Sequence, residues 1–159
     1  MTLKLYCIGK LKEDYLKKGV KEYVKRLNAY LNVQIIEVDD EKLSSYPNDS
    51  EITLAKNKEG QRVLKLLKNN EYLIGLDLVN KQPNSEQFAH YLEDKFVLSG
   101  ASLSFVIGGS YGLSDELKKR CNDRIALSML TFPHQLTRLI FLEQVYRAFK
   151  INHHEVYHK

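Results

Sequence analysis

The chemistry-bearing residues of this sequence crowd into its last third. Leu127-Ser128-Met129-Leu130-Thr131-Phe132-Pro133-His134 is a small, apolar run ending in a proline and a histidine, with Arg138 and Arg147 beyond it. Pro133 suits the first turn of a helix, whose free amide donors would face the preceding loop and could hold a polar ligand. His134 and Arg138 are four apart and share one helical face. Arg147 lies nine residues beyond Arg138, near the opposite face at 3.6 residues per turn, so one helix cannot aim both arginines at one pocket. Arg147 then serves a neighbouring subunit or the chain's own tail, unless it only forms an exposed pair with Glu143 four residues earlier.

Three further patterns could do chemistry. Gly108-Gly109-Ser110-Tyr111-Gly112 has neither the G-x-G-x-x-G spacing nor a Walker lysine, which excludes dinucleotide and P-loop readings. Its glycines permit positive φ and close backbone approach to a flat ligand, or merely a tight turn. The same residues match G-x-S-x-G, a nucleophile elbow, with Asp123 and His134 following in hydrolase order. Against a serine hydrolase on Ser110, no HGGG-type oxyanion segment precedes it. Finally, His154-Glu155-Val156-Tyr157-His158 spells H-E-x-x-H. Only Lys159 follows, so there is no downstream third ligand, and a fraying terminus is a poor place for a catalytic metal. No metal is expected.

These residues need a scaffold. The run from Leu3 to Ile8 alternates and ends at Gly9, which predicts a strand; residues 33–38, 72–78, 103–107 and 125–129 predict four more. Tyr15, Leu16, Val20, Tyr23, Val24, Leu27 and Tyr30 form one helical stripe, with Lys17, Lys18, Lys21, Lys25 and Arg26 off it. Helices are also expected over residues 52–67, 85–98, 114–120 and 133–149, with a mobile loop at 39–51 and a polar tail of ten residues. Strands alternating with helices mean a parallel sheet covered on both faces, one α/β domain spanning residues 1–159. Its ligands belong beyond the carboxyl ends of the strands.

Composition narrows the class. The chain has 159 residues, 43% hydrophobic and 28% charged, enough for one core and too short for a multidomain machine. No apolar stretch is long enough for a membrane span, and the lysines at 4, 10 and 12 are unlike a secretory signal. Cys7 and Cys121 form no metal or redox spacing and read as reduced, buried thiols of a cytoplasmic protein. The net charge is +4, with two basic ends flanking an acidic middle and four of the five histidines in the last 46 residues. That suits a polyanionic partner if the fold joins the ends; otherwise the lysines are a solubilising face.

Taken in order, Ile8-Gly9-Lys10-Leu11-Lys12, Glu59-Gly60-Gln61-Arg62, Phe105-Val106-Ile107-Gly108-Gly109, Thr131-Phe132-Pro133-His134, Glu143-Gln144-Val145-Tyr146-Arg147-Ala148 and Tyr157-His158-Lys159 resemble the RlmH family of SPOUT-class (α/β-knot) methyltransferases. Residues 39–58 add nothing to the likeness. The resemblance implies a C-terminal trefoil knot, a homodimer, and S-adenosyl-L-methionine contacts at Leu76, Gly108, Leu127, Ser128, Met129, Leu130, Thr131 and Phe132. It implies methylation of N3 of a pseudouridine in 23S ribosomal RNA, on the ribosome rather than through a separate RNA-binding domain. That nitrogen is weakly nucleophilic until its proton leaves, so an acceptor and nearby positive charge are needed. His134, Tyr157 and His158 are candidates for the proton, and Arg138, Arg147 and Lys159 for the charge. The tail of one subunit is expected to complete the pocket of the other. The alternatives are the serine hydrolase and a non-catalytic RNA- or ribosome-binding module.

Overall fold

Apolar residues on both sides of β1 (Thr2–Ile8) require cover on both faces, and the computed structural model, which describes all of Met1–Lys159, supplies it. Leu3, Leu5 and Cys7 point into one core with Ile74, Phe105 and Phe141, while Tyr6 and Ile8 point into a second with Leu73, Val106 and Leu117. The elements follow as α1 (Asp14–Leu27), β2 (Asn32–Val38), α2 (Asp49–Leu64), β3 (Tyr72–Leu76), α3 (Ser85–Leu98), β4 (Ser102–Ile107), α4 (Asp115–Arg120), β5 (Asp123–Ile125) and α5 (His134–Asn152). The five strands are all parallel, in the order β2-β1-β4-β3-β5.

α1, α3 and α5 pack together over one face, and α2 and α4 over the other. The steps from β1 to β2 and from β3 to β4 run one way along the sheet with α1 and α3 on the first face. Those from β2 to β3 and from β4 to β5 run the opposite way with α2 and α4 on the second. All four crossovers therefore share one hand, as βαβ units require. β5 lies outside β3 while β4 lies inside it, so the chain doubles back across β3 before α5 returns over the sheet.

Local chemistry explains most boundaries. Asn48 and Asn84 each close a reciprocal capping box, with Glu51 and Gln87, and Ser114 accepts from the Leu117 amide. The cap at Asn48 starts α2 three residues before the expected 52. Arg62 donates to the Asp39 carbonyl at 2.8 Å and to Glu41 at 2.6 Å, and Glu59 accepts from the Glu41 amide, so the start of the 39–48 loop is pinned rather than free.

The largest correction concerns β5. The expected strand over 125–129 is displaced: the ladder stops at Ile125, and the Ala126 amide donates to the Lys81 carbonyl as the chain leaves the sheet edge. Residues 126–133 carry no strand or helix, because this edge strand has a neighbour on one side only and nothing beyond Ile125 continues the ladder. Cys7 is buried as expected, whereas Cys121 is only half-buried; burial pushes their thiols up to about 12 and about 11, so neither is a reactive thiolate.

Candidate active site

The loops that follow β3, β4 and β5 enclose one cavity of about 620 Å³, within the range that takes small ligands and cofactors. Leu76 ends β3 and Asp77 begins its loop, Ile107 ends β4 and residues 108–112 form the second loop, and Leu127, Ser128 and Leu130–Phe132 come from the third; His134 and Thr137 close it from the first turn of α5. Of the eight expected cofactor contacts, seven line this cavity and Met129 does not; its side chain points outward and is largely exposed. A second cavity of about 460 Å³ lies between α3 and α5, lined by Met1, Phe96 and Phe149 among others, and shares no residue with the first.

The glycines of the second loop act through the turn itself. A Cβ on Gly108 would lie 2.6 Å from the Gly112 carbonyl carbon, while Gly112 adopts φ +84° with open space around it. Gly109 and Gly112 form an isolated bridge that ties the turn together. Small residues at 108 and 112 thus let the loop double back and leave backbone, rather than side chains, facing the cavity.

His134 is half-buried at the cavity wall, its ring lying over the Cα of Gly9. Burial lowers its pKa; Asp40 opposes this, and Arg138 and Lys12 reinforce it. The imidazole is therefore neutral at pH 7 and able to accept a proton. Arg138 does not share the cavity. Its side chain is 2% exposed, donates to the Gly9 carbonyl at 3.1 Å and lies 3.4 Å from Glu37. Glu37 also accepts from the Leu11 amide, and Gln135 from the Lys12 amide, so the first turns of α5 hold the β1–α1 loop in place. The expectation that Arg138 offers positive charge to a reactant is corrected: its guanidinium is closed against Gly9 and Glu37 and does not line the cavity.

Arg147, Tyr157 and His158 form a separate cluster. α5 ends at Asn152, His154 takes φ 55°, and the tail folds back along the helix. Glu155 binds Lys150 and accepts from Tyr30 at 2.9 Å. Tyr157 lies 5.0 Å from the Tyr146 ring and donates to Glu143 at 3.1 Å. Arg147 binds Glu143 at 2.5 Å, stacks over the Tyr157 ring at 4.8 Å and lies 3.3 Å from His158 Nδ1, whose Nε2 is 2.9 Å from Glu86. Arg147 thus holds its own chain's tail, one of the two roles its position allowed, and the tail is packed where sequence reading left it without structure. Glu143 sits nine residues along α5 from His134, about 13 Å at 1.5 Å per residue, so within one chain the tail and the cavity remain apart. Lys159 is exposed.

The two alternative motifs do not assemble. Asp123 accepts from Lys81 and Tyr91 rather than orienting His134, and Ser110 is exposed. The H-E-x-x-H residues lie past the end of α5, where no helix puts both histidines on one face, and Glu155 is occupied by Tyr30 and Lys150. Sequence reading missed Asp77 and Thr137 at the cavity, and had Tyr111 only as part of the Gly108–Gly112 turn. Asp77, an acid immediately after β3, was the one with a signal; it accepts from Arg124 at 3.1 Å and from the Leu78 amide.

Comparison with known proteins accords with this geometry. The family profile described as "Predicted SPOUT methyltransferase" matches residues 1–158. Proteins named ribosomal RNA large subunit methyltransferase H from Exiguobacterium sp. and Enterococcus faecalis are 46% and 48% identical to this chain over 159 residues, covering all of both chains. That of Bacillus cytotoxicus is 46% identical over the same span. A Legionella pneumophila methyltransferase solved with bound SAM shares the fold at a TM-score of 0.52 and 11% identity, over 94% of this chain and 66% of that one. The parallel five-stranded sheet, the three strand-end loops around one cavity and the full-length match agree: this chain belongs to the SPOUT methyltransferase family, in the branch that holds ribosomal RNA large subunit methyltransferase H.

Proposed function

We propose that this protein transfers a methyl group from S-adenosyl-L-methionine to N3 of a pseudouridine in 23S ribosomal RNA, as a homodimer in the cytoplasm acting on the assembled ribosome. The observation that carries the reading is the convergence of three backbone-lined loops with a neutral histidine on one cavity. The residues present fit the cofactor: the cavity has the right size, and small or apolar residues expose backbone groups able to hydrogen-bond an adenine. Leu76, Gly108, Leu127, Ser128, Leu130, Thr131 and Phe132 would hold it. When bound, it supplies an already activated methyl group, so placement and proton removal are what remain for the protein.

Of the three candidate bases, His134 is the one at the cavity. Its neutral imidazole takes the proton from the ring nitrogen as that nitrogen becomes nucleophilic. Burial, Tyr23 and Glu143 push the Tyr157 phenol well above its ordinary value, so it stays protonated and is not the base. Because the tail does not reach its own cavity, Tyr157 and His158 act in the cavity of a second copy, and the target base must be swung out of its stack to meet them. The exposed, unpaired Lys12, Lys18, Lys21 and Lys25 offer phosphate contacts that begin beside His134 and weaken with salt.

The direct test is mass mapping of 23S RNA from cells lacking this protein, with and without the gene restored. One methyl group on one pseudouridine should vanish and return. Unchanged RNA together with tight RNA binding, and no heat on titrating S-adenosyl-L-methionine, would favour the non-catalytic module instead.

A further inference from the structure

From the packing of the tail, we infer that Arg147 is a positioning residue: with Glu143, Tyr23 and Glu86 it forms a latch that presents Tyr157 and His158 in a fixed orientation. This rests on the proposal that the tail takes part in methyl transfer. The latch draws on three helices. Tyr23 from α1 has its hydroxyl 3.5 Å from that of Tyr157, Glu86 from α3 lies 2.9 Å from His158 Nε2, and α5 supplies Glu143 and Arg147. The Arg147 guanidinium meets Glu143, Tyr157 and His158 at once, while Tyr23 and Glu86 hold the two tail side chains from outside. Its Nη2 donates to the Glu143 carboxylate, its face covers the Tyr157 ring, and its Nη1 lies beside His158 Nδ1.

Those contacts also define proton positions. Arginine can only donate, so His158 Nδ1 accepts, and the proton then sits on Nε2, facing the Glu86 carboxylate. Glu143 Oε1 accepts from both Arg147 and Tyr157, so the Tyr157 hydroxyl points into the latch and the phenol remains neutral. Both side chains of the Glu143–Arg147 pair are about four-fifths buried, at 19% and 24% exposure, so the pair is less screened than an ordinary helix-surface bridge. A tail of seven residues beyond α5 has little core of its own and would otherwise sample many conformations.

The test compares Arg147→Met, which keeps the aliphatic stem, with Arg147→Lys and with Glu143→Gln in the full-length protein. Amide hydrogen exchange over residues 153–159 reads the tail directly, whatever the activity. Arg147→Met is expected to speed that exchange at least about tenfold while the rest of α5 stays protected. Affinity for S-adenosyl-L-methionine should not change, and single-turnover methyl transfer should fall by about a hundredfold, as for a misplaced catalytic group. Adding Tyr157→Phe to Arg147→Met should then cost little more. Arg147→Lys should restore part of the rate, since an ammonium retains charge over the Tyr157 ring but loses the planar fork.

Two failures are distinguishable. If removing residues 157–159 leaves transfer intact, the catalytic reading of the tail falls and the latch falls with it. If that removal abolishes transfer while Arg147→Met and Glu143→Gln neither loosen the tail nor slow the reaction, the latch alone is wrong.

Discussion

His134 and Arg138 stand one helical turn apart and do different work because their surroundings differ. His134 faces the cavity, half-buried, with its pKa pulled below the ordinary histidine value mainly by desolvation. A base must be deprotonated, so methyl transfer should fall as pH drops through that lowered value, with the acid limb of the pH–rate profile below about 6.5. His134→Gln should remove that limb and cost about 10²–10⁴ in rate. An unchanged profile in the variant would assign the base elsewhere. Arg138 is buried against Gly9 and Glu37, with its Nε lacking a partner. Arg138→Leu strands the Gly9 carbonyl and leaves Glu37 without its cation, a loss of about 3–5 kcal/mol in urea unfolding for a fully buried pair and toward the lower end here because Glu37 is partly exposed. Full stability with lost activity would instead place Arg138 at the chemistry.

At the scale of elements, the cavity exists because three strands end side by side and their loops turn outward. The Gly108–Gly112 turn is the tightest of these, and its backbone leaves no room for a side chain at 108. Gly108→Ala must open the turn, at a cost of about 1–3 kcal/mol in stability. Its main effect should be on S-adenosyl-L-methionine, weakened at least about tenfold in calorimetry, since a donor moved by an ångström no longer meets its acceptor. Tight binding to the alanine variant would show that this loop does not face the cofactor. The β5–α5 loop is held differently, by the Ser128 hydroxyl accepting from the Leu130 amide at 3.0 Å and by Ala126 bonded to Lys81.

At the scale of the whole molecule, α5 sets the distance between the cavity and the tail that the proposed homodimer would bridge. Its start carries the cavity wall and its end carries the latched tail, so about 13 Å of helix separates His134 from the Tyr157 partner Glu143. In a symmetric dimer each tail can meet the other chain's cavity, and the two sites are equivalent. Chains carrying His134→Gln and chains lacking residues 157–159 should each be inactive. Mixed through dissociation and reassembly, they should recover about a quarter of wild-type activity, because half the dimers are mixed and each holds one complete site. Sites completed within one chain would recover none.

The helical stripe of α1, the alternation in β1 and the cap at Ser114 were legible in the sequence, because each is a local pattern of period 2 or 3.6 or a side chain bonding a backbone three residues away. So was the set of strand-end loops that line the cavity, since parallel sheets place ligands there. The end of β5 was not legible, because an apolar run such as 127–130 suits a strand and a cavity lining equally, and only the absence of a neighbour beyond Ile125 decides. Arg138 likewise looked like a reactive cation by its spacing from His134; its partners, Gly9 and Glu37, are distant in sequence and were brought to it by folding. The chain alone therefore determined the periodic elements and the chemical types at the site. Tertiary structure determined which of those groups face the cavity, which are closed against the protein, and which pack with the tail at the far end of α5, because burial and partner distance are properties of packed surfaces.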